Sequence, residues 1–223
     1  MKKMLLAESV LLEHARQMAA GETGMVRIGT AYAALYPWLA AVMASFRETH
    51  PGVQYDMKYG YSSELLEMMS SGSIDFCIIS EREWQGNWIT LLTDEIVALL
   101  PPDHRYAQEK KVPIELFQEE PYIDVYPERD TDNARVLEQH HIHPQKYLST
   151  EDSSAMYSMV EAGLGICMNN RINTKNYQGE ISMIPLEPPQ HLKIGIAYSE
   201  QSLPIVTEFI SHIRQCDLQR AKK

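Results

Sequence analysis

Apolar residues at Leu39, Val42, Met43 and Phe46 follow the i, i+3, i+4, i+7 rhythm of one helix face, and His50-Pro51-Gly52 stops the run. Apolar runs suited to strands flank it at residues 26–30 and 53–59. Ser62 is placed to cap a second helix carrying Leu65, Leu66 and Met69, which Gly72 closes ahead of a strand at 74–79. This alternation predicts two consecutive β-α-β units with helices on the faces of a parallel sheet.

A longer strand at 88–100 runs into Pro101-Pro102-Asp103-His104, and the alternation then restarts. Strands are expected at 122–126, 146–150 and 164–168, with helices at 130–140 and 152–162. A strand at 192–198 and a helix with Val206, Phe209, Ile210 and Ile213 at helical spacing end the pattern. That last pair has no sheet of its own, so it is assigned back to the first set of elements. The fold class expected is α/β: two Rossmann-like lobes joined by two crossover strands. Lobe I covers residues 22–99 with 194–223, lobe II covers 100–193, and the hinges lie near 99 and 193. Residues 1–21 read as a helix whose apolar pairs Met4/Leu5, Leu11/Leu12 and Met18/Ala19 recur every seven residues. Such a short stripe has nothing of its own to bury against, and it is expected to pack on a partner.

The strands of both β-α-β units end in hydroxyls before a helix begins. Thr30 with Tyr32 two residues on, and Ser62 with Ser63, therefore fall at the carboxyl edge of the sheet, where open α/β sheets bind small ligands. A helix N-terminus adds about 0.3 to 1 kcal/mol for an anion. Ser62 either caps its helix or meets a ligand there. From lobe II, Tyr126 with Arg129 and Asp152 with Ser153 follow strands in the same way and should face the same cleft. Arg129 could clamp a carboxylate in a bidentate fork or be a solvated loop residue. Asp152 reads as an N-cap first and a ligand contact second. Tyr32, Tyr36, Tyr61 and Tyr126 would suit a flat, partly apolar ligand or simply pack. Gly163 reads as a helix C-cap and Gly165 as a tight turn into the next strand.

Charge narrows the function classes. Thirty acidic against twenty basic residues leave a net charge of −10, a surface that repels phosphate backbones. Nucleic-acid binding by these residues is therefore not expected. The cysteines Cys77, Cys167 and Cys216 are widely spaced and odd in number, with the first two inside apolar runs, as suits a reducing cytoplasm. Glu8, Glu13, His14 and Arg16 interrupt any signal-peptide core, and no stretch approaches a membrane span. His140, His141 and His143 include a His-x-His pair but lack further ligands at zinc spacing, so a solvated helix end before Pro144 is expected and no metal. There is no Gly-x-Ser-x-Gly elbow, no Walker-type loop and no His-Glu-x-x-His helix. Neither cofactor nor enzymatic activity is expected.

An ordered set of short segments carries a resemblance. It runs Gly24-Met25-Val26-Arg27-Ile28-Gly29-Thr30, His50-Pro51-Gly52-Val53, Gly60-x-Ser62-Ser63-Glu64-Leu65 and Gly72-x-Ile74-Asp75-Phe76-Cys77-Ile78. It continues with Leu100-Pro101-Pro102-Asp103-His104, Glu151-Asp152 and Val160-Glu161-Ala162-Gly163-Leu164-Gly165-Ile166. Over about residues 24–213 this succession resembles the effector-binding domain of LysR-type bacterial transcriptional regulators. The resemblance implies a fold like type 2 periplasmic binding proteins, with a small effector held between the lobes. It implies that residues 1–21 are the end of a linker helix and that a winged helix-turn-helix lies upstream, so operator DNA is contacted only through that absent segment. A homodimer or homotetramer in the cytoplasm, with no membrane contact, is the implied assembly.

The effector contacts expected on these grounds are Thr30, Ala31, Tyr32, Ser62, Ser63 and Ser80 from lobe I, and Tyr126, Arg129, Asp152 and Ser153 from lobe II. An anionic or aromatic metabolite is the expected ligand. Cys167-Met168-Asn169-Asn170 departs from the family pattern, which commonly continues apolar and reaches a proline, and so changes one cleft wall. The alternative is a solute-binding protein serving a transporter on a similar bilobal fold. An enzyme on the same scaffold would need a cleft residue of strongly displaced pKa, and the chain nominates none.

Overall fold

The computed structural model describes residues 23–200 and 202–216; the expected helix over 1–21 lies outside them. Strand β1 (Thr23–Thr30) leads through a short 3-10 turn (Ala33–Leu35) into α1 (Tyr36–Thr49), followed by β2 (Gly52–Tyr59), α2 (Ser62–Ser70) and β3 (Phe76–Ser80). β1 lies between β2 and β3 and is parallel to both, as the β-α-β reading requires. In β3 every residue is buried. Phe76 and Ile78 join one apolar cluster and Cys77 and Ile79 another, because successive side chains point to opposite faces of a sheet covered on both sides.

Helix α7 (Pro204–Gln215) packs beside α1 on the first of these faces, where Phe46 and Phe209 meet edge to face at 5.0 Å. Such a pair adds about 0.5 to 1.5 kcal/mol beyond its buried area. Helix α2 covers the other face through Leu65 and Met69.

The long strands β4 (Asn87–Leu100) and β9 (Ser182–Tyr198) carry the chain to the second half and back. The C-terminal end of β9 pairs antiparallel with β3, which returns the last strand and helix to the first lobe. The second lobe contains β5 (Val112–Pro113), α3 (Leu116–Glu119), β6 (Pro121–Val125), α4 (Asp132–Gln139), β7 (Gln145–Thr150), α5 (Ser153–Glu161), β8 (Cys167–Asn170) and α6 (Arg171–Thr174). β6 and β7 form a parallel pair, and Ile166 joins it to the segment leading into β8, which pairs with β4. Gly163 ends α5 at φ 71°. Its N–H donates to Val160 O and that of Leu164 to Met159 O, a left-handed C-cap that glycine adopts without a Cβ penalty. A Cβ on Gly165 would stand 2.7 Å from the Pro121 carbonyl oxygen, so glycine is what lets this segment approach β6.

Two cores result. Phe117, Tyr122, Ile123, Met156, Val160 and Cys167 pack with Val97 to Leu100 in the second, while Leu92 and Ile194 belong to the first. Packing thus changes over between Leu92 and Ile96 on β4 and at Leu192 on β9, where the sequence expectation had connections near 99 and 193. The two halves also share a ladder, which the sequence reading did not include: β4 and β9 pair with each other across the junction, with register shifts at Thr90/Leu92 and Ile96/Val97. At the second shift β9 runs from Pro185 to Gln190 between consecutive partners, and Leu186 and Glu187 in that excursion pair with β5. β9 begins ten residues before the expected strand at 192. Pro185, Pro188 and Pro189 hid this start, since proline cannot donate to a ladder.

Candidate functional site

The carboxyl ends of β1, β2 and β3 converge because the three strands are parallel. Thr30 ends β1 fully buried, and its hydroxyl accepts the Tyr32 N–H at 3.1 Å, which fixes the turn at Ala31. Ser62 does not cap α2: Tyr61 holds the N-cap position without a side-chain bond, and the Ser62 hydroxyl instead lies 2.9 Å from Ser80 Oγ and accepts the Ser80 N–H at 3.2 Å. The helix start is thereby tied to the end of β3.

The second lobe faces this edge with the ends of β6, β7 and β8. Asp152 caps α5 by accepting the Ser154 N–H at 2.8 Å, in line with its reading as a cap. Thr131 caps α4 by accepting from Ala134 N at 3.1 Å, which places Asp132 in the first helical turn, where a carboxylate is favoured. Asp132 crosses the cleft. Its Oδ1 accepts from Ser80 Oγ at 2.5 Å and from Arg82 Nη2 at 2.6 Å, and its Oδ2 accepts from the Tyr32 hydroxyl at 3.1 Å. The pair is largely withdrawn from water, with side-chain exposures of 6% for Arg82 and 14% for Asp132. Burial, followed by the Asp132 charge, pushes the Tyr32 phenol well above its usual value, so it remains a donor. A second bridge sits nearer the surface: Ser63 Oγ donates to Asp130 Oδ2 at 2.5 Å, and Arg135 holds the same carboxylate in a bidentate fork at 2.6 and 2.7 Å. Hydrogen bonds to Arg135 and Ser63 hold the Asp130 carboxyl down at about 2, against some opposition from partial burial.

Between the lobes these contacts enclose a chamber of about 70 Å³, lined on one side by Ala31, Tyr32 and Ser62 and on the other by Tyr126, Asp132 and Asn170. It continues outward into a groove of about 580 Å³ bordered by Tyr36, Tyr59, Asp152, Tyr157 and Tyr177. Tyr59, Tyr126, Ser153, Asn169 and Asn173 line both. The groove falls in the size range of small-molecule sites. Tyr61 and Tyr126 approach across the cleft at 6.4 Å, and Tyr126 adopts φ 57°. Partial burial raises the Tyr59 phenol, with the phenols of Tyr126 and Tyr36 contributing.

Of the expected contacts, Ala31, Tyr32, Ser62, Tyr126 and Ser153 line the chamber and Asp152 borders the groove. Thr30 and Ser80 sit behind that wall as its supports, and Ser63 is engaged by Asp130. Arg129 is exposed and lines a separate depression with His141 and His143. Asp132, Arg82, Tyr59 and the Asn169, Asn170 and Asn173 wall were missed, although the departure at Asn169-Asn170 was the available signal. Among the described residues no group of three or more His, Cys, Asp or Glu is placed to hold a metal ion. His140 forms the C-cap of α4 and His141 has φ 56°, so the three histidines lie at a helix end. No helix among the described residues is long and apolar enough to cross a membrane.

The family model described as LysR substrate binding domain matches residues 19–216. The chain belongs to this family. The LysR domain is 25% identical over 183 residues to the HTH-type transcriptional regulator YybE of Bacillus subtilis, covering 79% of the chain and 62% of that protein. It is 24% identical to the regulator AlsR of the same organism, covering 95% of the chain and 72% of AlsR. The chain therefore spans about two thirds of the length of these relatives. In fold it resembles the regulatory domain of CcmR from Synechocystis in complex with 2-PG, with TM-score 0.73, 16% identity, and coverage of 86% of this chain and 97% of that one. The effector binding domain of BenM with benzoate matches at TM-score 0.66 and 18% identity, over 86% of this chain and 90% of that one. The two-lobed α/β architecture and the role as a ligand-sensing regulatory domain follow from this membership, and the family is not enzymatic.

Proposed function

We propose that the chamber and groove between the lobes are the effector site of a longer transcriptional regulator, and that occupancy sets the relative orientation of the two cored halves. The moving units meet where packing changes, near residues 93–95 and at 192. The observation that carries this reading is the Asp132 bridge to Ser80, Arg82 and Tyr32, a polar clasp between lobes beside a cavity lined from both. A ligand that touches both lobes changes the energy of one orientation relative to another, and only that difference can shift a population. The 2-PG and benzoate complexes of CcmR and BenM are consistent with a small molecule as the ligand.

Operator DNA would be contacted by a helix-turn-helix segment, as the names of the relatives indicate, and the regulator would act as a cytoplasmic homodimer or homotetramer. The acidic surface of this chain, at −10, suits that division of labour. The test is Ser153→Phe, which puts a ring into the space shared by chamber and groove from a partly exposed helix start. In the full-length regulator this variant should retain operator binding and an unchanged unfolding midpoint while losing its response to inducer. A full inducer response with the ring in place would show that the ligand sits elsewhere.

A further inference from the structure

The charges around the cleft are unevenly distributed. Neither the chamber nor the groove has a lysine or arginine among its lining residues, whereas Asp132 lines the chamber and Glu151 and Asp152 border the groove. Arg82, the guanidinium bonded to the chamber residue Asp132, is neutralised by it at 2.6 Å. Three helix N-termini at the cleft already carry carboxylates of their own: Glu64 in the first turn of α2, Asp132 in that of α4, and Asp152 as the cap of α5, whereas the 3-10 turn, α1 and α6 begin with no acidic residue. A ligand carboxylate entering here would meet the carboxylates of Glu151 and Asp152, with Asp132 already balanced by Arg82, and no lining lysine or arginine.

Independent features point to an occupant. Asn170 is 5% exposed, lines the chamber and has no partner for its Nδ2, and Asn173 lines the same chamber with no partner for its Oδ1. A buried amide left without a partner costs about 1 to 3 kcal/mol, which a bound polar group would recover. The groove adds Tyr36, Tyr59, Tyr126, Tyr157 and Tyr177, the last two stacked at 4.8 Å. Aromatic faces beside carboxylates suit organic cations.

We propose that this cleft is built for a small organic ammonium ligand, a primary or quaternary amine that also carries a polar group. The ammonium lies in the groove beside Tyr59, Tyr126 and the Glu151/Asp152 pair, and its polar group reaches Asn170 and Asn173 in the chamber. The proposal rests on the cleft being the effector site, and it reverses the expectation of an anionic metabolite.

The test uses isosteric probes that differ in charge: choline, 3,3-dimethylbutan-1-ol and 3,3-dimethylbutanoate, then benzylamine, benzyl alcohol and benzoate, titrated calorimetrically into the intact chain. In at least one set the ammonium member should bind about tenfold tighter than its neutral counterpart, with the carboxylate not detected. The double variant Glu151→Gln with Asp152→Asn, which retains a capping side chain, should weaken the ammonium about tenfold and leave the neutral probe unchanged. A carboxylate binding as well as or better than its ammonium counterpart overturns the proposal, as does ammonium binding indifferent to the double variant, or no ammonium binding at millimolar concentration. Ser153→Phe separates the two levels. If it abolishes binding of a carboxylate probe, the cleft stands and only the charge class fails; if it leaves bound probes unaffected, the cleft assignment itself fails.

Discussion

Replacing Asp132 with asparagine keeps the shape of the clasp and removes its charge. The carboxylate accepts three hydrogen bonds, from Ser80, Arg82 and Tyr32, and an amide retains one acceptor oxygen in place of two. Hydrogen bonds to charged groups contribute about 1.5 to 3 kcal/mol against about 1 for neutral ones, so two or three weakened bonds correspond to about 2 to 4 kcal/mol. Most of that falls on Arg82, whose side chain is 6% exposed and would lose its counter-charge. Since 1.4 kcal/mol is a factor of ten, the ratio of clasped to unclasped molecules should fall by about 30-fold to 1,000-fold. Paired spin labels on the outer faces of the two lobes should show a narrow distance distribution in the parent chain and a broadened or longer one in Asp132→Asn. Urea unfolding should show a loss of about 2 kcal/mol or more. Adding Arg82→Gln should cost less than the sum of the two single changes, because neither charge is then stranded. An unchanged distance distribution together with an unchanged unfolding energy would refute the clasp.

The Asp130 carboxyl, held at about 2 by Arg135 and Ser63, contributes stability that is present above its ordinary value of 3.8 and lost as pH falls through 2. Because its side chain is 44% exposed, screening limits this to about 1 kcal/mol or less, and Asp130→Asn should erase the difference between urea midpoints measured at pH 5 and pH 2 that is due to this group. Burial pushes the Cys77 and Cys167 thiols up to about 12, so no more than one of the three thiols, Cys216, should react quickly with Ellman's reagent at pH 8 until the chain unfolds. Phe209→Ala removes a fully buried ring that contacts Phe46, Tyr55 and Phe76, and should cost about 3 to 5 kcal/mol in denaturant unfolding.

The alternation of elements was legible because helix and strand periods are local: Leu39, Val42 and Phe46 mark α1 whatever lies around them, and all three are buried. The return of the last strand and helix to the first lobe was also legible, from the lack of a neighbouring sheet. Less visible was anything decided by which chain segments meet. Ser62 has the type and position of a cap, yet its hydroxyl turns to Ser80, eighteen residues away and brought near by β3. Asp132 reads as an ordinary first-turn acid, and only docking of the lobes gives it Arg82, fifty residues away, as a partner. Arg129 has the right chemistry for a clamp, but the left-handed backbone at Tyr126 and Glu128 belongs to a loop that leaves it on an exposed depression.

The pairing of β4 with β9 across the junction limits how one half could move against the other. A swivel about a single covalent thread would allow many directions, whereas a two-stranded ribbon resists bending within its plane and yields to twist and out-of-plane flexure. Its ladder is interrupted at the two places where register slips, at Thr90/Leu92 and Ile96/Val97. Whatever occupies the cleft would thus be read out through twist and out-of-plane flexure alone, so that chemically different ligands would produce graded displacements within these two modes and not different gestures.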